Sequence, residues 1–139
     1  MSSIKFPHIF PVNIDDLEAV KTDEGHIWGY EKWLVNDKER NVCCKLLIIF
    51  PGFLSSKHAH ETKWEYFQVL AGQLDLHVWH YDNVEDCQTF ELDGGMQYFI
   101  PENVYHRFET GTREFVLLLE VSAYEDEKTD KMEKSEKLY

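Results

Sequence analysis

Apolar residues along the chain fall into short runs that end at turn residues, and this pattern predicts β-strands. The run over residues 73–80 is the clearest, because Leu74, Leu76 and Val78 alternate with side chains that would face the other way. Breaks fall where glycine, proline, asparagine or aspartate cluster, as at residues 51–52 and 93–95. The predicted strands cover residues 26–35, 42–50, 64–70, 73–80, 88–92, 97–100, 104–108 and 114–121. Short strands at regular spacing favour an all-β sandwich or barrel.

The two ends of the chain differ from this pattern. Residues 14–21 could form a short helix, and residues 125–139 hold six acidic residues and four lysines with almost no apolar side chains. Such a segment is typical of a frayed helix or a disordered tail, and we assign no chemistry to it. The predicted organisation is an N-terminal arm over 1–25, one β domain over 26–122 and a charged tail over 123–139.

Composition narrows the classes of partner. The 139 residues carry a formal charge of −12, which argues against binding of a nucleic-acid backbone, although a local basic cluster could still bind a small anion. No apolar run reaches the length of about 18 residues that a membrane helix needs, and the first residues lack a signal-peptide pattern. The cysteines are Cys43, Cys44 and Cys87, an odd number with two adjacent, so we expect no disulfide framework and a reducing, cytoplasmic location.

Candidate metal ligands lie close together in the segment that runs from Gly52 to Gly72. His58 and His60 are two residues apart, so both point to the same face of a strand, and Glu65 follows within a short bend. His106 is a further candidate. Imidazole nitrogens and a carboxylate oxygen are common ligands of divalent transition metals, and the alternative is a set of scattered surface polar residues.

The complete spacing resembles the cupin superfamily, whose fold is a double-stranded β-helix or jelly-roll barrel. Its first motif is matched at every position and its second at three, by Gly52, His58, His60, Glu65 and Gly72 and then by Gly95, Pro101 and His106. Two positions of the second motif differ. Asn103 stands where the family has glycine, and asparagine tolerates a positive φ better than most residues. Thr110 stands where the family has asparagine, beyond the ligand set.

The cupin resemblance implies that His58, His60, Glu65 and His106 hold one divalent transition metal at the mouth of the barrel. Four protein ligands leave positions open for water or for two substrate oxygens. Zn²⁺, Mn²⁺, Fe²⁺ and Ni²⁺ all suit such a site, and the sequence does not choose among them. Cupin barrels expose edge strands, so we also expect a homodimer.

Within the superfamily, the sequence is similar to small type II mannose-6-phosphate isomerase cupins. The similarity lies in residues 28–33, Lys45, and residues 98–101, 106–109 and 120–122. It implies interconversion of an aldose and a ketose, with a sugar or sugar phosphate as substrate and a metal-stabilised enediolate as intermediate. Lys63 is then the first candidate for proton transfer or substrate contact, with Lys45 and Glu120 beside it. The alternative for Lys63 is a solvated loop lysine.

Two other functions fit the same ligands. Cupin dioxygenases bind Fe²⁺ or Ni²⁺ through three histidines and a glutamate, and the aromatic content of the chain suits such a pocket. A non-catalytic cupin that binds a small molecule is the second alternative.

Overall fold

The computed structural model describes residues 17–22, 24–80, 83–126 and 131–133. Eleven strands form within these ranges and no helix does. The strands are β1 Glu18–Lys21, β2 Ile27–Asp37, β3 Val42–Ile49, β4 His58–His60, β5 Glu65–Ala71, β6 Gln73–His80, β7 Asn83–Asp93, β8 Gln97–Ile100, β9 His106–Thr110, β10 Val116–Ser122 and β11 Lys131–Glu133. Likewise, no helix in these ranges is long and apolar enough to cross a membrane.

The strands form two antiparallel sheets. One has six strands in the order β1-β2-β3-β10-β5-β8, and the other has five in the order β11-β4-β9-β6-β7. Consecutive strands change sheet several times, as a jelly-roll requires. The all-β class and the jelly-roll architecture predicted from the sequence are confirmed, and each of the eight predicted strands is present, with ends displaced by a few residues.

In the parts of the two chain ends that the structure describes, the secondary structure differs from the prediction. The helix expected over residues 14–21 is wrong for residues 18–21, which form β1 and pair with β2; residues 14–16 lie outside the described part. In the tail, residues 131–133 form β11 and pair with β4, so this portion is neither helical nor disordered. Pairing with an open sheet edge overrides the weak local preference of a four-residue segment.

Alternation along the strands places the core between the sheets. Leu47, Phe67, Leu76, Phe108 and Leu118 are all buried and belong to one hydrophobic cluster. They come from strands of both sheets, so the cluster closes the barrel interior over much of its length. Other buried positions on the same strands carry charged side chains, as at Lys45, Glu65 and Glu120.

The turn of the second motif tolerates its substitution. Asn103 has a φ of 64°, in the left-handed region that glycine or asparagine accepts best, which confirms the expectation for this position. Its backbone N–H donates to the carbonyl of His60 at 2.7 Å. Thr110, the other departure, donates its hydroxyl to the carbonyl of Phe50 at 2.8 Å and accepts the N–H of Phe53 at 2.8 Å. Both residues therefore fix loops next to the histidines.

Candidate metal centre

Three histidines converge at the polar end of the barrel. His58 and His60 lie on β4, and His106 lies opposite His58 on β9 in antiparallel register. One ring nitrogen from each lies within 4.8 Å of the others. Because metal–nitrogen bonds are about 2.1 Å long, ligand atoms around one ion lie about 3 to 4 Å apart, so the cluster needs little adjustment to bind one.

The rings of His58 and His106 are oriented in the same way. Each Nδ1 lies 2.9 Å from the carbonyl oxygen two residues earlier, that of Ser56 for His58 and that of Val104 for His106. A carbonyl only accepts, so Nδ1 must carry the proton. In the neutral ring, Nε2 is then the nitrogen that carries the lone pair, and a carbonyl at Nδ1 is the usual support for a histidine that binds a metal through Nε2.

Glu65 approaches the histidines from the opposite sheet. Its Oε1 lies 3.2 Å from Nε2 of His106 and 3.4 Å from Nε2 of His60. Among the described residues, neither Oε1 of Glu65 nor Nε2 of His106 has a hydrogen-bond partner, and both are fully buried. Two buried acceptors that face each other need a proton or a cation between them. The donor set of three nitrogens and one carboxylate oxygen fits a divalent metal such as Zn²⁺, Mn²⁺, Fe²⁺ or Ni²⁺.

The strand period explains how charged side chains reach this end of the barrel. On β3, β5 and β10 the buried positions continue from apolar residues to Lys45, Glu65 and Glu120. These three residues are therefore inward-facing, in phase with the core residues of their own strands. Lys45 and Glu120 are also direct cross-strand partners.

The predicted catalytic residues form a cluster next to the histidines. Lys63 is only 3% exposed, which excludes a solvated loop lysine, and its Nζ lies 3.6 Å from Oε2 of Glu65. Lys45 Nζ lies 3.8 Å from Oε2 of Glu120. A cavity of about 630 Å³ is lined by these residues together with His58 and His60. The structure thus brings the predicted catalytic residues and three of the four predicted metal ligands together at one cavity, and the fourth ligand, His106, is buried next to them.

One member of the cluster was missed from the sequence. Glu125 lies beyond β10, and its two carboxylate oxygens accept from Lys45 Nζ at 2.6 Å and from Lys63 Nζ at 2.7 Å. Asn36 anchors the backbone of this segment, since its side chain accepts from the Glu125 N–H at 3.0 Å and donates to the Glu125 carbonyl at 3.2 Å. From the sequence alone, Glu125 belongs to the charged tail, to which we assign no chemistry. No strand period extends past residue 122, so the pattern held no signal for Glu125.

Electrostatics divide the cluster into charged and neutral groups. Burial opposes the charge of Lys63, but Glu120, Glu65 and Glu125 outweigh it and raise the pKa of Lys63. Burial likewise opposes ionisation of Glu65, yet His106 and Lys63 hold its pKa well below the ordinary value. Burial and the adjacent Glu65 carboxylate raise the pKa of Glu120 to about 8. Near neutral pH the metal-free cluster therefore combines ammonium groups, carboxylates and one carboxyl group that can hold a proton.

Solved structures share this arrangement of sheets. The capsular polysaccharide assembling protein CapF from Staphylococcus aureus superposes with a TM-score of 0.69 at 18% identity, over 89% of this chain and 31% of CapF. KdgF from Halomonas sp. gives 0.66 at 13%, over 86% of this chain and 96% of KdgF. The oxalate decarboxylase of Lactobacillus farciminis gives 0.65 at 18%, over 86% and 34%. The chain thus spans about a third of CapF and of the decarboxylase.

These similarities establish the fold. The chain has the cupin fold, with a cluster of three histidines on neighbouring strands of its five-stranded sheet. No protein-family model and no curated protein matches the sequence.

Proposed function

We propose that this cupin-fold protein is a metal-dependent enzyme that interconverts an aldose and a ketose of the sugar or sugar-phosphate class. One observation carries the proposal. A buried carboxyl group and two buried lysines, on Glu120, Lys45 and Lys63, line the same cavity as the candidate metal ligands. A protein that only stored a metal would have no need of charged groups buried beside it, each of which costs free energy to desolvate.

The proposed ligands are His58, His60, Glu65 and His106, and a divalent ion on them would polarise the carbonyl and hydroxyl oxygens of the substrate. The resemblance of the fold to oxalate decarboxylase, a protein described with Mn(II) centres, supports a metal at this position.

Glu120 is the proposed proton carrier. Its carboxyl group is buried, lies against Glu65 and faces Lys45. In the proposed reaction, the Glu120 carboxylate removes the proton from one carbon of the substrate and returns it to the neighbouring carbon, while the hydroxyl proton of the substrate passes from one of the two adjacent oxygens to the other. Lys63, held as an ammonium, binds the substrate by a charge-assisted hydrogen bond and takes no part in the proton transfer. This assignment gives Lys63 a substrate contact and gives the proton transfer to Glu120.

Deuterium exchange tests the proposal directly. The protein is freed of metal, loaded separately with Mn²⁺, Zn²⁺, Fe²⁺ and Ni²⁺, and incubated in D₂O with hexose phosphates, pentose phosphates and free sugars. We expect ketose formation with deuterium at the exchanged carbon for at least one combination, because the proton passes through a group that exchanges with solvent. Absence of deuterium incorporation with every metal would refute the isomerase.

A variant separates chemistry from metal binding. Glu120→Gln should abolish deuterium incorporation while the protein keeps its metal, since the amide cannot take up the proton. A Glu120→Gln protein with wild-type exchange would remove Glu120 from the mechanism. Oxygen consumption that depends on Fe²⁺ would favour a dioxygenase, and tight sugar binding without exchange would favour a binding protein.

A further inference from the structure

The contact between Glu125 and the two lysines has the form of a bound carboxylate. Each carboxylate oxygen accepts from a different ammonium group, at 2.6 Å from Lys45 and 2.7 Å from Lys63. The lysine side chains are 8% and 3% exposed, so the pair is built into the barrel and does not belong to the outer surface. Such charge-assisted hydrogen bonds are short and strong, and a pair of them fixes the orientation of the carboxylate.

The lysine positions are held independently of Glu125. Lys45 lies on the central strand β3 with its Nζ 4.0 Å from the centre of the Trp33 ring, and Lys63 Nζ lies 3.6 Å from Glu65. Glu125, in contrast, comes from a segment outside the strands, and it reaches the lysines with its side chain. Rotation of that side chain alone would remove the carboxylate that the two ammonium groups share, while the backbone contacts with Asn36 remain.

The lysine pair would then face the cavity that the metal cluster also lines. Two ammonium groups there form a local cationic region in a chain whose formal charge is −12. Glu120 and Glu65 remain at 3.8 and 3.6 Å from the ammonium groups of Lys45 and Lys63, and the position between the two groups can be filled by Glu125 or by the anionic group of a ligand. The ligand-free and ligand-bound states of the protein would therefore differ in which carboxylate lies between Lys45 and Lys63.

We propose that Lys45 and Lys63 form a carboxylate-binding subsite, which Glu125 fills until the carboxylate of a substrate replaces it. The proposal rests on the function proposed above and narrows the substrate to a sugar that carries an acid group. The acid end would bind the lysines, and the carbonyl end would lie toward the histidines. Glu125 then acts as an internal competitor that keeps the lysines paired in the empty protein and lowers the apparent affinity of the substrate.

Calorimetric titration of the full-length protein with D-glucuronate tests the subsite without any need for turnover. D-Glucose is the neutral control ligand, and glucose 6-phosphate distinguishes a phosphate from a carboxylate. We expect Glu125→Gln to tighten glucuronate binding by about tenfold or more, because removal of the competing charge frees the lysine pair. Glucose binding should not change. Glu24→Gln, which removes the same charge from another residue lining this cavity, should leave glucuronate binding as in the wild type.

Two further variants complete the test. Lys45→Met combined with Glu125→Gln should lose the gain, because one ammonium group is missing. Glu125→Asp is the substitute variant if Glu125→Gln fails to fold. It keeps the charge, but its shorter side chain no longer reaches both lysines, so it should also tighten glucuronate binding. An unchanged glucuronate affinity in a folded Glu125 variant would overturn the proposal, as would an equal gain for glucose or a gain for the phosphate alone.

The result is separable from that of the isomerase test. The gain between wild type and Glu125→Gln should persist after treatment with a chelator, since the lysine pair does not need the metal. Tighter glucuronate binding in Glu125→Gln without deuterium exchange would support the subsite and refute the isomerase. Deuterium exchange without tighter glucuronate binding would support the isomerase and refute the subsite.

Discussion

Ring orientation is what distinguishes the clustered histidines from an accidental contact. Nδ1 of His58 and of His106 each donates to the carbonyl two residues earlier in the chain. The same local hydrogen bond thus occurs on two strands that face each other in register. A histidine held only by packing does not require this bond, whereas a metal ligand gains both its tautomer and its direction from it.

Loss of one histidine should be measurable as loss of metal. We expect His58→Ala to weaken binding of Zn²⁺ or Mn²⁺ by more than about 100-fold, since removal of a direct ligand should cost at least as much as removal of its support. The measurement is metal content after dialysis, together with competition against a chelator.

The matched control for this prediction is His80→Ala. His80 is an exposed histidine at the end of β6, outside the cluster. It should keep the wild-type metal content, and equal losses in the two variants would contradict a site at His58.

Single residues also show what sequence reasoning can reach. The spacing of His58, His60, Glu65 and His106 located all four candidate ligands, because the motif records both the strand period and the turn between β4 and β5. Lys45 and Glu120 could be found because they share a phase with buried apolar residues. Glu125 could not, because its position depends on where the chain passes after β10, and that path is set by the side chains of Asn36 and Asn41.

At the scale of elements, the local sequence pattern predicts the strands in the middle of the chain but not the strands at its two ends. Apolar runs between turn residues predicted eight of the nine strands from β2 to β10, all except β4, but the terminal strands β1 and β11 have no pattern of their own that marks them. Each pairs with an edge that is already present, β1 with β2 and β11 with β4. Their structure follows from an available partner, which a local pattern does not contain.

At Gly29 in β2, there is no room for a side chain against the neighbouring strand β3. A Cβ atom there would lie 1.9 Å from the carbonyl oxygen of Ile48, which is backbone and cannot move aside alone. We expect Gly29→Ala to lower the free energy of unfolding by about 3 kcal/mol, measured by urea denaturation. Gly111→Ala is the control, because a Cβ there meets nothing within 4 Å, and its effect should stay within about 0.5 kcal/mol. Equal effects would show that close packing at Gly29 is not limiting.

At the scale of the whole molecule, the net negative charge contrasts with the positively charged lysines at the cavity. The formal charge of −12 is spread over the chain, while the lysines that face the cavity are buried against carboxylates. Global charge therefore argues against a nucleic-acid partner but says little about the ligand of the cavity. The distribution of exposed apolar side chains, in contrast, indicates where a second copy of the same chain could bind.

An apolar patch lies at one edge of the six-stranded sheet, on β5, the edge strand β8 and the turn before it. Its members are Tyr66, Leu70, Met96 and Phe99, each more than 40% exposed. Tyr66 and Phe99 are cross-strand partners with ring centres 4.6 Å apart. An edge strand beside exposed aromatic rings can pair with its own copy about a two-fold axis, which would bury the patch and extend the sheet.

The expected homodimer follows from this patch. Light scattering after size exclusion should give twice the mass of one chain, and Phe99→Glu should give the mass of a single chain, because it places two carboxylates against each other across the axis. Leu34→Glu is the matched control: Leu34 is similarly exposed but lies on β2, at the other end of the same sheet, so this variant should remain dimeric. A monomeric wild-type protein would remove the dimer altogether. A dimer that survives Phe99→Glu but not Leu34→Glu would place the interface on β2.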